Sequence, residues 1–156
     1  MYEVARALWE EMLGHALAAA PEECCGLVGG RGRAAASVYP LRNAAADPLV
    51  AYEAAPEELF AAQRRMRERG EELFAIYHSH PRARDPVPSP TDVKLAFYPS
   101  AVYFIIGFDE EGRGVLRAFR ISEREGRWER ARFRLVEDGE PAAGEIRKKQ
   151  HAGEEK

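Results

Sequence analysis

Leu73-Phe74-Ala75-Ile76-Tyr77-His78 is an apolar run with the character of a strand, and it continues as Ser79-His80-Pro81. The histidines stand at i and i+2, so on a strand they point to the same face, with Cα atoms roughly 6.5 Å apart. Two imidazoles so placed can reach one ion at metal–nitrogen distances of about 2.0–2.1 Å. A strand end opening into a loop is also where functional side chains are commonly displayed. The competing reading is two solvated histidines, or one structural and one idle.

Before this run, residues 56–69 read as a helix, with Pro56 suited to its first turn and Gly70 to its stop. Upstream, Leu8, Met12, Leu13, Ala16 and Leu17 share a stripe of a helix over 6–20, which Pro21 ends. Cys25–Gly30 and Ala36–Leu41 are expected strands joined by a hairpin at Gly30-Arg31-Gly32. Residues 43–48 form a loop, followed by an extended piece over Val50–Glu53. Downstream, residues 81–90 hold four prolines and exclude regular structure. Ser89-Pro90 then opens a short helix, with Ser at the N-cap and Pro at N1. Val102–Phe108, Val115–Ile121 and Trp128–Val136 are the remaining expected strands. The order predicts a single α/β domain of the α+β type over residues 1–136, in which helices flank a curved, mostly antiparallel sheet. Residues 137–156 are polar and read as a frayed tail.

A metal site needs further donors. Asp92, on the short helix, is one candidate, and an oxygen ligand beside two imidazoles suits zinc or a similar divalent ion. Ser89-x-x-Asp92 also matches a capping box, and Asp85 offers another carboxylate in the same segment. Glu22 and Glu23 precede the first core strand, and either could serve as a base. Cys25 reads as a small buried apolar residue rather than a nucleophile, His15 as structural, and His151 as part of the tail.

Composition narrows the classes. Of 156 residues, 46% are hydrophobic and 31% charged, and the net charge is −3, without the basic excess of a nucleic-acid binder. The basic run Arg64–Arg69 falls on a helical face and reads as solvated surface. The sequence shows no secretory leader and no apolar stretch of membrane-spanning length. The only two cysteines, Cys24 and Cys25, are adjacent, which excludes a disulfide framework. A reducing cytoplasm is the expected location. Arg supplies 19 of 23 basic residues and Asn occurs once, a weak sign of a heat-adapted source.

Taken together, Pro21-Glu-Glu-Cys-Cys-Gly-Leu27, His78-Ser-His-Pro81 and Pro88-Ser-Pro-Thr-Asp92 resemble the JAMM (MPN-plus) metalloprotease family, in its compact prokaryotic branch. The resemblance covers roughly residues 1–136 and implies a cytidine-deaminase-like MPN fold. It implies one Zn²⁺ per chain held by His78, His80 and Asp92. Glu23, rather than Glu22, is implied as the general base, and Ser89 as the donor to the oxyanion. Eleven residues, 81–91, separate His80 from Asp92, one more than the family's usual spacing, and the extra residue falls in the proline-rich loop.

The resemblance further implies a zinc-dependent peptidase or isopeptidase. Tyr98-Pro-Ser-Ala101 links the short helix directly to the next strand, without the insertion by which the family's deubiquitinases hold ubiquitin. The implied partner is therefore a ubiquitin-like sulfur carrier, cleaved after its C-terminal Gly-Gly, with no nucleic acid or membrane involved; a homodimer is compatible with it. The alternatives are a non-catalytic MPN-type scaffold, whose expected sign is loss of a ligand, and a metal-dependent amidase acting on small molecules.

Overall fold

The computed structural model describes residues 1–137. Its elements are β1 (Tyr2–Ala5), α1 (Arg6–Ala19), β2 (Cys25–Arg31), β3 (Ala34–Leu41), α2 (Pro56–Glu68), β4 (Glu72–Ser79), α3 (Pro90–Lys94), β5 (Val102–Phe108), β6 (Gly114–Ser122), β7 (Arg127–Arg130) and β8 (Phe133–Val136). The strands form one sheet in the order β7-β6-β5-β4-β2-β3-β1-β8. Neighbours are mostly antiparallel, with parallel pairings between β4 and β5 and on both sides of β1. This is the α+β architecture expected from the order of elements. Among the described residues no helix is long and apolar enough to cross a membrane.

Each face of the sheet carries a core. Trp9, Met12 and Ala16 of α1 pack with Val28, Ala75, Tyr77 and Phe104. Ala62 and Met66 of α2 pack with Leu27, Ile76, Ile105 and Phe119. β4 lies centrally between the two cores, so both of its faces are buried. That is why its sequence is continuously apolar instead of alternating.

Four local expectations are corrected. Trp128–Val136 is not one strand but two, with Ala131-Arg132 between them. β7 pairs with β6 at one edge of the sheet, whereas β8 pairs with β1 at the other. Only two residues separate the outermost strands in sequence, so the sheet must curl until its edges approach each other. β1, absent from the expected elements, exists because β8 and β3 flank it in parallel. The β2–β3 turn falls at Gly32-Arg33 rather than at 30–32, with Gly32 at φ +58° supplying the left-handed residue. Val50–Glu53 is irregular loop, and the only pairing of this segment is an isolated bridge between Asn43 and Ala54. Beyond Glu137, which pairs with Arg6, the expected tail lies outside the described residues.

The parallel β4–β5 pairing requires a crossover, and residues 80–101 supply it. Its first half is fastened to β5. His80 N donates to Ile106 O (2.8 Å), Ala83 N to His80 O (2.9 Å) and Phe108 N to Ala83 O (2.9 Å). Pro86 and Pro88 are buried. Gly107 permits the close approach, because a Cβ there would be driven into Ala83 O and the Pro86 ring. Gly107→Ala is expected to destabilise the domain by about 1–3 kcal/mol, the usual cost of overpacking, read as a lower urea midpoint at unchanged m-value. An unaltered midpoint would mean that the loop is not held against β5.

Candidate active site

β4 delivers His78 fully buried and His80 at the strand's end, partly open. After the proline loop, Ser89 caps α3 in a reciprocal box. Its Oγ accepts from Asp92 N (3.0 Å), and its own N–H donates to Asp92 Oδ2 (2.8 Å). That same Oδ2 stands 3.2 Å from His78 Nε2 and 3.1 Å from His80 Nε2, and the two Nε2 atoms are 3.0 Å apart. The cap and the approach to the two imidazoles therefore involve one and the same oxygen of Asp92. In a tetrahedral site with metal–ligand distances of about 2.0–2.1 Å, neighbouring ligand atoms lie roughly 3.3 Å apart. A nearly equilateral triangle of two imidazole nitrogens and one carboxylate oxygen matches that edge. The donor set thus fits a zinc-like divalent ion.

Glu23 comes to the same place from the irregular stretch between α1 and β2. Cys25 pairs with His78 across β2–β4. Ser79 fastens the stretch to the end of β4: its Oγ accepts from Cys24 N (2.9 Å), and its N–H donates to Cys24 O (3.2 Å). The ligand-type atoms of Glu23, His78 and His80 all lie within 4.8 Å of one another. Glu23 is buried, and its Oε1 has no hydrogen-bond partner among the described residues. The competing candidates sit elsewhere. Asp85 pairs with Arg117 and Arg130 on the surface, and Glu22 is exposed.

The electrostatics separate the carboxyls. Burial pushes Glu23 up to about 7, with the nearby Asp92 adding to the rise and His80 opposing it. Burial would also raise Asp92, but the hydrogen bonds from His78, His80 and the Ser89 amide outweigh it and hold that carboxyl well below the usual range. Burial lowers His78, opposed by Asp92. It pushes Cys24 up to about 11 and Cys25 to about 12, so neither thiol is an activated nucleophile.

A loop over residues 43–55 holds these parts in place, and none of its residues was a sequence candidate. Asn43 Nδ2 donates to Glu23 O (2.9 Å) and Ala51 O (3.0 Å), and its Oδ1 accepts from the amides of Ala45 and Glu53 (both 3.0 Å). Glu23 N donates to Pro48 O (2.8 Å). Tyr52, on the same loop, stacks on the His78 ring at 4.4 Å and 24°. The only available signal was that Asn43 is the chain's single asparagine. The loop also supplies Leu49 and Val50 to a cavity of about 390 Å³ lined in addition by Pro21, Glu23, His80, Pro81, Arg82, Ala83 and Ser89.

A carboxyl whose pKa is higher in the folded state than in the unfolded chain stabilises the fold only when protonated. The folded domain gives up that stability as pH rises from about 4.5 to about 7. Glu23→Gln is therefore expected to stabilise the metal-free protein by about 2 kcal/mol at pH 8 and to have little effect at pH 4, measured by urea denaturation. Destabilisation at pH 8 would show that Glu23 is a structural residue.

A profile described as prokaryotic homologs of the JAB domain matches residues 5–122. A desampylase from Haloferax volcanii is 39% identical over 106 residues, covering 64% of this chain and 76% of that protein. A probable TtuB-protein conjugate cleaving protease from Thermus thermophilus is 43% identical over 120 residues, 77% of this chain and 76% of the relative. A CysO-cysteine peptidase from Mycobacterium tuberculosis is 36% identical over 112 residues, 70% of this chain and 75% of the relative. Among solved structures, a protein from Desulfitobacterium hafniense superposes with a TM-score of 0.78 at 36% identity, covering 88% of this chain and 94% of its own. A JAB1/MPN domain protein from Archaeoglobus fulgidus shares the fold, with a TM-score of 0.57 at 20% identity, over 87% of this chain and 98% of its own. The matched region contains every residue that converges on the cleft, from Glu23 through His78 and His80 to Asp92, and the chain belongs to the prokaryotic JAB-domain family.

Proposed function

We propose that residues 1–136 form a zinc-dependent peptidase or isopeptidase that hydrolyses the amide bond following the C-terminal Gly-Gly of a ubiquitin-like sulfur-carrier protein. The observation that carries this reading is the convergence of His78 Nε2, His80 Nε2 and Asp92 Oδ2 beside the buried, unpartnered Glu23 Oε1. The relatives' names, which specify TtuB-protein conjugates and CysO-cysteine, support the substrate class. A non-catalytic scaffold would be expected to have lost a ligand position, and none is lost here.

His78, His80 and Asp92 would hold the ion. When bound, such an ion acidifies water toward neutrality and polarises a carbonyl. Glu23, with its pKa near 7, is poised to take the proton from the attacking water and deliver it to the leaving nitrogen. The Ser89 hydroxyl accepts from the Asp92 amide, so its own proton is free for the oxyanion that develops on the scissile carbonyl. Tyr52 fixes the plane of the His78 ring, and Pro21, Leu49, Val50 and Pro81 give the cleft apolar walls.

A carrier extended by one amino acid beyond Gly-Gly, followed by mass spectrometry, is expected to be trimmed back to Gly-Gly in a chelator-sensitive way. No trimming by protein shown to hold zinc would remove the carrier from the reading. Glu23→Gln is expected to retain zinc and lose about 10²–10⁴ in turnover, whereas His80→Ala and Asp92→Asn are expected to fall below one zinc per chain by elemental analysis. Full zinc retention in both ligand variants would sink the site.

A further inference from the structure

The proline loop carries three charges in four residues, Arg82, Arg84 and Asp85, two positions after His80. Their fates differ. Arg84 pairs with Glu110 (2.6 Å), and Asp85 is shared by Arg117 (3.0 Å) and Arg130 (3.7 Å). Arg82 is exposed and has neither an ion pair nor a hydrogen bond among the described residues. It stands in the His80–Ala83 turn, whose backbone is fixed by Ala83 N to His80 O (2.9 Å). It lines the same cavity as Glu23, His80 and Ser89, and no other lining residue there is a lysine or arginine. Pro21, Leu49, Val50, Pro81 and Ala83 supply the uncharged walls.

An unpaired guanidinium beside a hydrolytic centre recognises an anion, and its planar fork matches a carboxylate. The two candidate leaving groups differ in that respect. A single amino acid joined through its α-amine carries a free carboxylate two bonds beyond the scissile nitrogen. A lysine side chain joined through its ε-amine carries no charge near the cleaved bond. We propose that Arg82 is a specificity residue that binds the α-carboxylate of an amino acid joined to the carrier's Gly-Gly, so that the preferred reaction is removal of one carboxy-terminal amino acid rather than cleavage of a lysine isopeptide. The inference rests on the hydrolase reading above and names the leaving group for it. Hydrolysis adds water across the amide, leaving the carrier with a Gly-Gly carboxylate and releasing the amino acid with its amine protonated.

Two measurements test it. The first compares kcat/KM of the zinc-loaded enzyme on a carrier ending in Gly-Gly-Ala with a free carboxylate and on the same carrier ending in the Ala amide. A preference of about tenfold for the acid is expected, the order of one charge-assisted contact, falling to about one in Arg82→Gln and partly restored in Arg82→Lys. The second reads binding without turnover, as NMR titrations of metal-free protein with the tripeptide Gly-Gly-Ala and its amide. Tighter binding of the acid is expected, and Arg82→Gln should abolish the difference. Equal rates on acid and amide in the unaltered enzyme, or a preference that survives Arg82→Gln, would overturn the inference while leaving the hydrolase reading intact. Absence of turnover on both carriers, with the Arg82-dependent binding preference retained, would overturn the hydrolase reading and leave the carboxylate site standing.

Discussion

Three electron-rich atoms face one point in this domain: two imidazole nitrogens and a carboxylate oxygen, separated by 3.0–3.2 Å. Such an arrangement is tolerable in a buried place when shared protons or a cation lie among them, and the surrounding fold is organised to keep them there. β4 aims the histidines, and its buried central position keeps His78 from turning away. The crossover to β5 returns the chain to the same strand end with Asp92. The capping box then uses that carboxylate oxygen to start α3, so the helix forms in the register that presents it. Ligand geometry and helix start are thus one local structure. An alanine at position 92 would remove the shared oxygen and leave the cap only the bond from its own amide to Ser89 Oγ.

Glu23 poses the opposite problem. It is an anion-forming group placed in an apolar pocket with an unpartnered oxygen, which costs stability in the way functional sites commonly do. The chain keeps it there by gripping the backbone rather than the side chain. Pro48 takes its amide, Asn43 its carbonyl, and Ser79 the neighbouring residue. The carboxylate itself remains free to gain and lose a proton. A loop that looks like a mere connection between β3 and α2 therefore sets the position of Glu23, and through Tyr52 the plane of one histidine.

The sequence made some of this legible and concealed the rest for identifiable reasons. The i, i+2 histidine pair and the Ser-x-x-Asp box are local patterns, so their geometry follows from strand and helix periodicity. The core strands are visible because they are uniformly apolar. By contrast, nothing local chooses between Glu22 and Glu23, or between Asp85 and Asp92. That choice depends on which side chains the crossover and the β2–β4 register bring together, and here the resemblance, not the periodicity, selected between them. β1 was hidden because four residues directly preceding a helix carry no distinctive pattern. The break between β7 and β8 was hidden because the exposed strand β7 and the half-buried β8 join without a glycine or proline at the break. The role of Asn43 is a network of four long-range or loop-closing hydrogen bonds, which no spacing rule reports.

The parallel pairing of β1 with β8 places Tyr2 beside Phe133 and Val4 beside Leu135. Contacts between such distant parts of the chain are entropically expensive to close and tend to be late events in folding. During synthesis, β1 emerges first and must wait for nearly the whole domain before its outer neighbour exists, while β2, β3 and β4 can pair among themselves much earlier. The central strands that carry the histidines can therefore assemble before the sheet's outer closure. The last step would be the docking of β8 beside β1, the step most exposed to interruption by a stalled ribosome or a clipped carboxy-terminal segment.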